Sequence, residues 1–318
     1  MNIIVTGSIA YDYLMSFPGY FRDHILTDKL DSISLSFLVD NMILQRGGTG
    51  PNIAYTLALL GSHPSLVATA GKDFDEYRAW LEANGVDTQG VKVIPDKYTA
   101  SFFANTDKAN AQIASFYTGA MAHASEISVM TATRNKPDLV IISPNDPGAM
   151  AQYVAECKKH AIPYVYDPSQ QVVRIESDQL ATGVDGALAL FVNEYEFELL
   201  QKRTGLTADQ IIGEVGFTVI TCGERGSLIY EDGYKYVIPI VSANQIADPT
   251  GVGDAYRGGF FTGYDHKLPI ELCGKMGALA ATYCLEQRGT QNHRFTISEF
   301  IQRFREHFDD QGELDKLL

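Results

Sequence analysis

Short apolar runs recur from residue 139 onward in this 318-residue chain, and segments with a helical pattern separate them. The runs are rich in β-branched and aromatic residues and cover residues 139–143, 164–167, 187–192 and 217–221. Apolar strands that alternate with helices are typical of a mainly parallel sheet with helices on both faces. We therefore predict an α/β fold of three layers, in which ligands bind at the carboxyl ends of the strands.

Two stretches, residues 13–45 and 91–117, lack this rhythm and contain strand-like pieces with partial period-two alternation. The pieces cover residues 32–39, 98–105 and 111–117. Because they fall outside the alternating pattern, we expect them to form a small β-sheet apart from the main body. The sequence thus favours one domain over residues 1–318, with a lid formed by the two stretches.

The remaining elements follow from local signals. A buried first strand is predicted over residues 3–6, helices over 52–60 and 75–84, a strand over 66–70, and a hairpin over 227–240 that turns at Asp232 and Gly233. Helical patterns that begin near residues 253, 271 and 298 complete the chain.

Charge and cysteine content exclude several classes of protein. The chain has 25 basic and 39 acidic residues, a net charge of −14, which opposes binding to a phosphate backbone, so nucleic acid is not an expected partner. The four cysteines form no CxxC pair, which favours reduced thiols. We find no signal peptide and no run of 18 apolar residues, and we therefore expect a cytoplasmic protein without a membrane partner.

The segment around Gly251, Val252, Gly253 and Asp254 carries the strongest chemical signal. Two glycines allow a tight turn whose N–H groups point outward at a helix start, which suits an anion such as a transferring phosphoryl group. Asp254 would lie in the first helical turn, where it can accept a proton from an attacking hydroxyl group. Alternatively, Asp254 only caps the helix.

Two other segments carry weaker signals. Gly48 allows close approach to a ligand and Asn52 could bind its hydroxyl groups, or both only form a turn before a helix. Asn193 and Glu196 could hold a hydrated metal, but the pair also has the spacing of a capping box.

Two features of the lid also suggest a ligand. Asp12 could bind a diol, or be an ordinary acid in a surface turn. Phe102 and Phe116 could stack on a flat ring, or simply pack within the lid. The sequence contains neither a GxxxxGK[ST] motif nor the GxGxxG, HRD and DFG elements of other nucleotide-binding folds.

The two glycine-rich segments, in this order and about 200 residues apart, resemble the two signatures of the ribokinase-like (PfkB) carbohydrate and nucleoside kinases. The resemblance extends over essentially the whole chain. Within that family, the amino-acid sequence at residues 6–10, 34–40, 112–117 and 167–171 is most similar to that of bacterial adenosine kinases of actinobacterial type. Pro249 differs from the usual residue of the family's second signature, and residues 49–51 differ from the first signature of the adenosine kinases. These differences could alter substrate preference.

The resemblance implies a set of roles for individual residues. The nucleoside site would comprise Ser8, Asp12, Ser36, Gly48, Asn52, Phe102, Phe116, Gln170, Gln171 and Arg174. The ATP side would comprise Asn193, Thr221, Cys222, Gly223, Glu224, Arg225 and Gly226, with Glu196 positioning Mg²⁺ through water. Gly251, Val252 and Gly253 would form the anion hole, Asp254 would be the base, and Asp248 with Thr250 would lie near a monovalent cation such as K⁺.

The implied reaction is ATP-dependent phosphorylation of the 5′-hydroxyl of adenosine to give AMP, a step of purine salvage. Another nucleoside, or a sugar such as ribose, is the alternative substrate. A nucleoside-binding module without catalysis is a further alternative, which the intact Gly251, Gly253 and Asp254 disfavour. A homodimer through the exposed edges of the lid is also expected.

Overall fold

The structure, a computed structural model, describes residues 1–32, 34–133 and 135–318. Its strands are β1 (Ile3–Thr6), β2 (Ala10–Ser16), β3 (Asn41–Gly47), β4 (Ser65–Gly71), β5 (Val91–Ile94), β6 (Ala100–Thr106), β7 (Gln112–Tyr117), β8 (Leu139–Ile142), β9 (Tyr164–Tyr166), β10 (Ala189–Asn193), β11 (Phe217–Thr221), β12 (Ser227–Glu231) and β13 (Tyr234–Ile238). Its α-helices are α1 (Thr49–Leu59), α2 (Asp75–Ala83), α3 (Pro147–His160), α4 (Ser177–Val184), α5 (Glu194–Thr204), α6 (Ala208–Glu214), α7 (Val252–Asp265), α8 (Ile270–Leu285) and α9 (Ile297–His307).

The strands form two sheets. In the larger sheet the order is β13-β12-β11-β10-β9-β8-β1-β4-β5, with parallel pairing from β11 to β5 and antiparallel pairing of β12 and β13. In the smaller sheet the order is β3-β2-β6-β7. There β2 pairs with β6 in parallel, whereas the β3–β2 and β6–β7 pairs are antiparallel.

Both faces of the larger sheet are covered, as the apolar runs predicted. Ile3 and Val5 of β1 belong to one buried cluster, together with apolar residues of α1, α2, α7, α8 and α9. Ile4, which points to the opposite face, belongs to a second cluster built with α3, α4, α5 and α6. Side chains alternate across a strand, so a fully apolar strand such as β1 contributes to both layers.

One strand prediction for the smaller sheet was wrong. Residues 32–39 contain no strand in their described part; Ile33 lies outside the described residues. Phe37 instead packs against Phe17 and Phe21, so its apolar side chain serves an aromatic cluster and not a strand ladder. The expected region 91–117 also begins with β5, which pairs with β4 at the edge of the larger sheet, where exposed Lys92 is typical of an edge strand.

The other predicted elements are present within a few residues of their expected bounds. The four cysteines form no disulfide within the described residues. In the same residues, no helix combines the length and the apolar character needed to cross a membrane.

Candidate active site

The site lies where the chain order reverses in the larger sheet. Strand β1 lies between β4 and β8. The chain adds β4 and β5 on one side of β1, and β8 and the later strands on the other side, and this change of side opens a crevice beyond the carboxyl end of β1. Two hydrogen bonds hold the crevice together: the backbone N–H of Ser8 donates to Pro144 O at 2.8 Å, and the Thr49 side-chain Oγ1 donates to the same oxygen at 3.1 Å. The loops after β1 and β8 and the start of α1 therefore meet at one point.

Two adjoining cavities open there, and they share Thr49, Gln170, Gly251 and Asp254. The larger cavity measures about 510 Å³ and is lined by Ser8, Ala10, Asp12, Gly48, Thr49, Asn52, Phe102, Phe116, Met121, Pro144, Gln170, Gln171, Arg174, Thr250, Gly251, Asp254 and Thr290. The smaller measures about 210 Å³ and is lined by Thr49, Ser169, Gln170, Asn193, Glu196, Thr221, Gly251, Gly253, Asp254 and Arg257. Asp254 thus lies where a ligand in one cavity would meet a ligand in the other.

The register of the smaller sheet places three cavity residues in one row. Asp12 on β2 is opposite Phe102 on β6, and Phe102 is opposite Phe116 on β7. Neighbouring residues in register point to the same face of a sheet. The row therefore presents a carboxylate beside two aromatic rings to the larger cavity, an arrangement suited to a ligand with hydroxyl groups and a flat ring.

Gly48 lies where the backbone crosses the loop after β1. Its φ is +94°, and a Cβ atom there would lie 2.2 Å from Ser8 O. Any other residue would be strained and would collide with that loop. The glycine therefore lets two loops cross closely at the wall of the larger cavity, and its predicted close approach to a ligand stays a prediction.

Gly251 and Asp254 begin α7. Gly251 is the N-cap residue with φ +77°, and a Cβ atom there would lie 2.8 Å from the Thr290 side chain. Gly251 lines both cavities and Gly253 lines the smaller one, and the first N–H groups of a helix have no partner within the helix, which favours an anion here. Asp254 follows in the first turn and accepts a hydrogen bond from Asn52 Nδ2 at 2.8 Å.

Burial raises the pKa of Asp254 to about 6, against the opposing effects of Arg257 and the Asn52 hydrogen bond. Burial, together with the negative charge of Asp248, also raises the pKa of Asp12 to about 6. A carboxylate whose pKa lies near neutrality is a better proton acceptor than an ordinary one.

A buried ion pair lies under the start of α7. The Arg257 guanidinium contacts both oxygens of Asp167, which follows β9, at 2.7 and 2.5 Å, and it donates to Gly253 O at 2.9 Å. Both side chains are almost fully buried. The pair therefore ties the glycine-rich turn to the loop that carries Gln170, Gln171 and Arg174.

Asn193 and Glu196 can both cap a helix and face a ligand, so the two interpretations of this pair are compatible with each other. Asn193 and Glu196 form a complete capping box at the start of α5, with 2.8 Å bonds in both directions. Both residues also line the smaller cavity, where Glu196 Oε1 accepts from Ser169 Oγ at 3.2 Å. Capping therefore fixes the orientation of a carboxylate that faces the cavity.

Some of the predicted site residues lie outside both cavities. Ser36 is exposed, and Cys222, Gly223, Glu224, Arg225 and Gly226 form a turn after Thr221, outside the lining of the smaller cavity. Asp248 accepts from Thr250 N at 2.9 Å and from Gly289 N at 3.0 Å, which braces two loops beside the larger cavity. Val252 is the first residue of α7.

Sequence reasoning assigned no role to Arg257, Asp167 or Gln291. Gln291 is buried and donates to Asn52 Oδ1 at 2.9 Å. One signal for Arg257 was available: it is the only charged residue among the small and aromatic residues 255–263, which indicates a buried charge with a partner. Gln291 gave no such signal, because nothing near it in sequence marks it as buried.

The chain is similar to several known proteins. A family model described as "pfkB family carbohydrate kinase" matches residues 18–296. The solved nucleoside kinase of Burkholderia thailandensis in complex with inosine is 34% identical, with a TM-score of 0.85, and the match covers 96% of this chain and 98% of that one. A nucleoside kinase of Methanocaldococcus jannaschii is 27% identical over 96% of this chain and 97% of its own length.

A cytidine kinase of Thermococcus kodakarensis is also similar, with 27% identity over 84% of this chain and 97% of its own length. The solved structures confirm the predicted ribokinase-like architecture, with its large, mainly parallel sheet and small separate sheet.

Proposed function

This chain belongs to the pfkB family of carbohydrate kinases, which are phosphotransferases with an alcohol acceptor, and we propose that it transfers the γ-phosphoryl group of ATP to the 5′-hydroxyl of adenosine. The observation that carries the proposal is the position of Asp254, at the start of α7 and at the junction of an aromatic cavity with a polar one. The nucleoside would occupy the larger cavity and the phosphates of ATP the smaller one.

In the larger cavity, the nucleoside would be held at both ends. Ionised Asp12 would accept hydrogen bonds from the ribose hydroxyl groups, with Ser8, Gly48 and Asn52 nearby. Phe102 and Phe116 would contact the faces or edges of the base, and Gln170, Gln171 and Arg174 would line its outer side. Burial of the base between the two sheets would exclude water from the 5′-hydroxyl group.

Transfer would take place beside Asp254. The 5′-oxygen attacks the γ-phosphorus in line as its proton passes to the Asp254 carboxylate; the new O–P bond forms as the bond to the departing ADP oxygen breaks. The N–H groups of Gly251, Val252 and Gly253 would stabilise the negative charge on the transferring group. Asn52, which holds one oxygen of Asp254, leaves the other oxygen available for the proton.

On the ATP side, the lining is compatible with a cation brought in by the nucleotide. In the described residues, no group of three His, Cys, Asp or Glu side chains could hold a metal ion alone. Mg²⁺, which keeps several waters and is commonly bound through substrate phosphates, fits Asn193 and Glu196 at one wall of the cavity. When bound, it would neutralise phosphate charge.

Thr221 lines the same cavity, and the turn from Cys222 to Gly226 would continue the ATP side beyond it. A monovalent cation such as K⁺ would lie where the loop that carries Asp248 and Thr250 meets the turn at residues 288–290. There, the neighbouring carbonyl oxygens of Thr250 and Thr290 both lie close to Cys284 Sγ.

Inosine is the second candidate acceptor. Arg174, which lines the larger cavity, offers only hydrogen-bond donors. A 6-oxopurine presents two acceptors to such a donor, O6 and N7, whereas adenine has an amino group in place of O6. The similar Burkholderia thailandensis enzyme was solved with inosine. The cavity would then accept purine nucleosides of both types, with preference decided by Arg174 and the Gln170 and Gln171 amides.

The proposal is tested by incubating the protein with ATP and Mg²⁺, with and without K⁺, and with adenosine, inosine, guanosine, cytidine, ribose or fructose 6-phosphate in turn. Formation of AMP, with adenosine giving the highest kcat/KM, supports the proposal. Higher kcat/KM with inosine would replace adenosine by a 6-oxopurine. Transfer to a sugar alone would refute the purine site, and absence of transfer to every acceptor would favour a binding module.

A further inference from the structure

A chain of buried hydrogen bonds runs from the end of β3 to Asp254. Tyr77 OH donates to Gly47 O at 2.9 Å, and Gln291 Nε2 lies 2.5 Å from Tyr77 OH and 2.9 Å from Asn52 Oδ1. Asn52 Nδ2 then donates to Asp254 Oδ2 at 2.8 Å. The chain therefore joins residues of α1, α2 and α7 with the segment before α9.

The direction of every bond in this chain is determined by its first member. A backbone carbonyl oxygen only accepts, so the single hydroxyl hydrogen of Tyr77 is given to Gly47 O and the Tyr77 oxygen must accept from Gln291. Gln291 therefore turns its amino group inward, and Asn52 must meet that group with Oδ1. The amino group of Asn52 is thereby left facing Asp254.

Burial makes this order strict. Tyr77 and Gln291 are 0% and 2% exposed and line neither cavity, so water cannot replace a missing partner at these two residues. The reverse orientation of the two amides would place Asn52 Oδ1 against the Asp254 carboxylate and would remove the Tyr77 hydrogen bond from Gly47 O. An unpaired or repelled polar group at this depth is costly.

We propose that Gln291 and Tyr77 are positioning residues for phosphoryl transfer: they fix the Asn52 amide so that it donates to one oxygen of Asp254 and leaves the other for the acceptor hydroxyl group. Neither residue lines the two cavities, so both act only through Asn52. The inference rests on the proposed function, because it assigns a purpose to the orientation of the proposed base.

The expected signature is a change in the ionisation of Asp254. The Asn52 hydrogen bond stabilises the charged carboxylate and lowers the pKa that burial raises. The titratable or charged groups around Asp254 are Arg257 on α7, Asp167 after β9, Glu196 on α5, Cys284 on α8 and, across the larger cavity, Asp12. A variant that leaves these groups in place but frees the Asn52 amide should raise the pKa of Asp254.

Two variants test the inference through the pH dependence of kcat, measured with saturating nucleoside and ATP. Gln291→Met keeps the side-chain length but removes both donated bonds, and Tyr77→Phe removes the acceptor that orients Gln291 together with the hydrogen bond to Gly47 O. We expect kcat to fall about tenfold in Gln291→Met and its acidic limb to move about one unit to higher pH, since a hydrogen bond to a charged group contributes on this scale. Tyr77→Phe should move the limb in the same direction by less.

Tyr153→Phe is the matched control. Tyr153 is equally buried and its hydroxyl group donates to a backbone oxygen, Ala124 O, at 2.8 Å, but it lies in the cluster on the other face of the larger sheet. Its loss should reduce stability and leave the pH profile of kcat unchanged.

The possible results are distinct. If the unaltered protein phosphorylates no acceptor, the proposed function fails. If the unaltered protein is active, and the Gln291→Met and Tyr77→Phe variants fold and keep the same acidic limb in the pH profile of kcat, the positioning role is refuted. Should Gln291→Met not fold, Tyr77→Phe decides alone, because it removes only one oxygen atom.

Discussion

At the scale of single residues, the site depends on carboxylates held in unusual surroundings. Asp12 and Asp254 both have a pKa raised to about 6, mainly by burial, and both line the larger cavity. The sequence identified both residues, since an acid after the first strand and an acid at a glycine-rich helix start are local features. Their surroundings were not predictable, because residues far away in the sequence provide them.

These two groups predict the pH dependence of the reaction. The free protein must have both carboxylates ionised to bind the ribose and accept the proton, so kcat/KM for adenosine should be constant above about pH 7 and fall as the pH drops through about 6. Two protonations should give a slope near two on a logarithmic plot. Asp12→Asn should lower kcat/KM and reduce the slope to one, and a slope of one in the unaltered protein would exclude one of the two roles.

Phe116 tests the aromatic wall. If its ring contacts the base, Phe116→Ala should weaken adenosine binding by about 1–3 kcal/mol, as for other contacts between bases and aromatic side chains. Tyr117→Ala is the control, because Tyr117 is comparably exposed on the same strand but points to the opposite face of the smaller sheet. Calorimetry should show a loss in the first variant only. Equal affinities in the Phe116→Ala variant and the unaltered protein would assign Phe116 to packing.

At the scale of elements, the site is built where loops from several strands meet. The loops after β1, β8 and β9 and the starts of α1, α5 and α7 supply its polar groups, and the smaller sheet supplies its aromatic wall. The alternating pattern predicted the strand ends, and therefore the general place of the site. It could not predict the Arg257–Asp167 pair, because 90 residues separate the two side chains.

That pair makes a prediction about stability. Arg257→Met would leave the Asp167 carboxylate buried without its partner and should lower the free energy of unfolding by about 3–5 kcal/mol. The double variant Arg257→Met/Asp167→Leu, which removes both charges, should recover much of this loss. The comparison is made by urea unfolding.

Arg225→Met provides the control for Arg257→Met. Arg225 pairs with Glu194 at an exposed position, so its loss should cost at most about 1 kcal/mol. Equal destabilisation by the two single variants would show that the buried pair has no special structural role.

At the scale of the whole molecule, the larger sheet was predictable and the smaller one only in part. Long apolar runs with helices between them specify a covered parallel sheet almost independently of detail. The smaller sheet is exposed on much of its surface, and strands such as β3 and β7 have a mixed polar and apolar pattern that resembles loops. This is why its strands β2 and β3 were missed while a non-strand segment at 32–39 was preferred.

The exposed face of the smaller sheet predicts a dimer. Leu44, Tyr13 and Phe103 are aligned by the register on the face opposite Asp12, with Met42 and Ile113 on neighbouring strands. Leu44 is 54% exposed and Met42 59%, so apolar side chains cover a continuous surface. We expect light scattering to give about twice the chain mass of 35.0 kDa.

A matched pair of variants locates that contact. Leu44→Asp should shift the protein to a monomer, whereas Val237→Asp, a change at a comparably exposed position on β13, should not. A monomer at every concentration of the unaltered protein would refute the predicted association.

The kcat of Asp254→Asn with adenosine decides whether Asp254 takes the proton of a nucleoside hydroxyl group during transfer from ATP. The variant keeps the size of the side chain and lets nucleoside affinity be measured separately by calorimetry. This role predicts a fall in kcat of about 10²–10⁴-fold with nucleoside affinity largely retained. An unchanged kcat would contradict it and remove Asp254 from the chemistry.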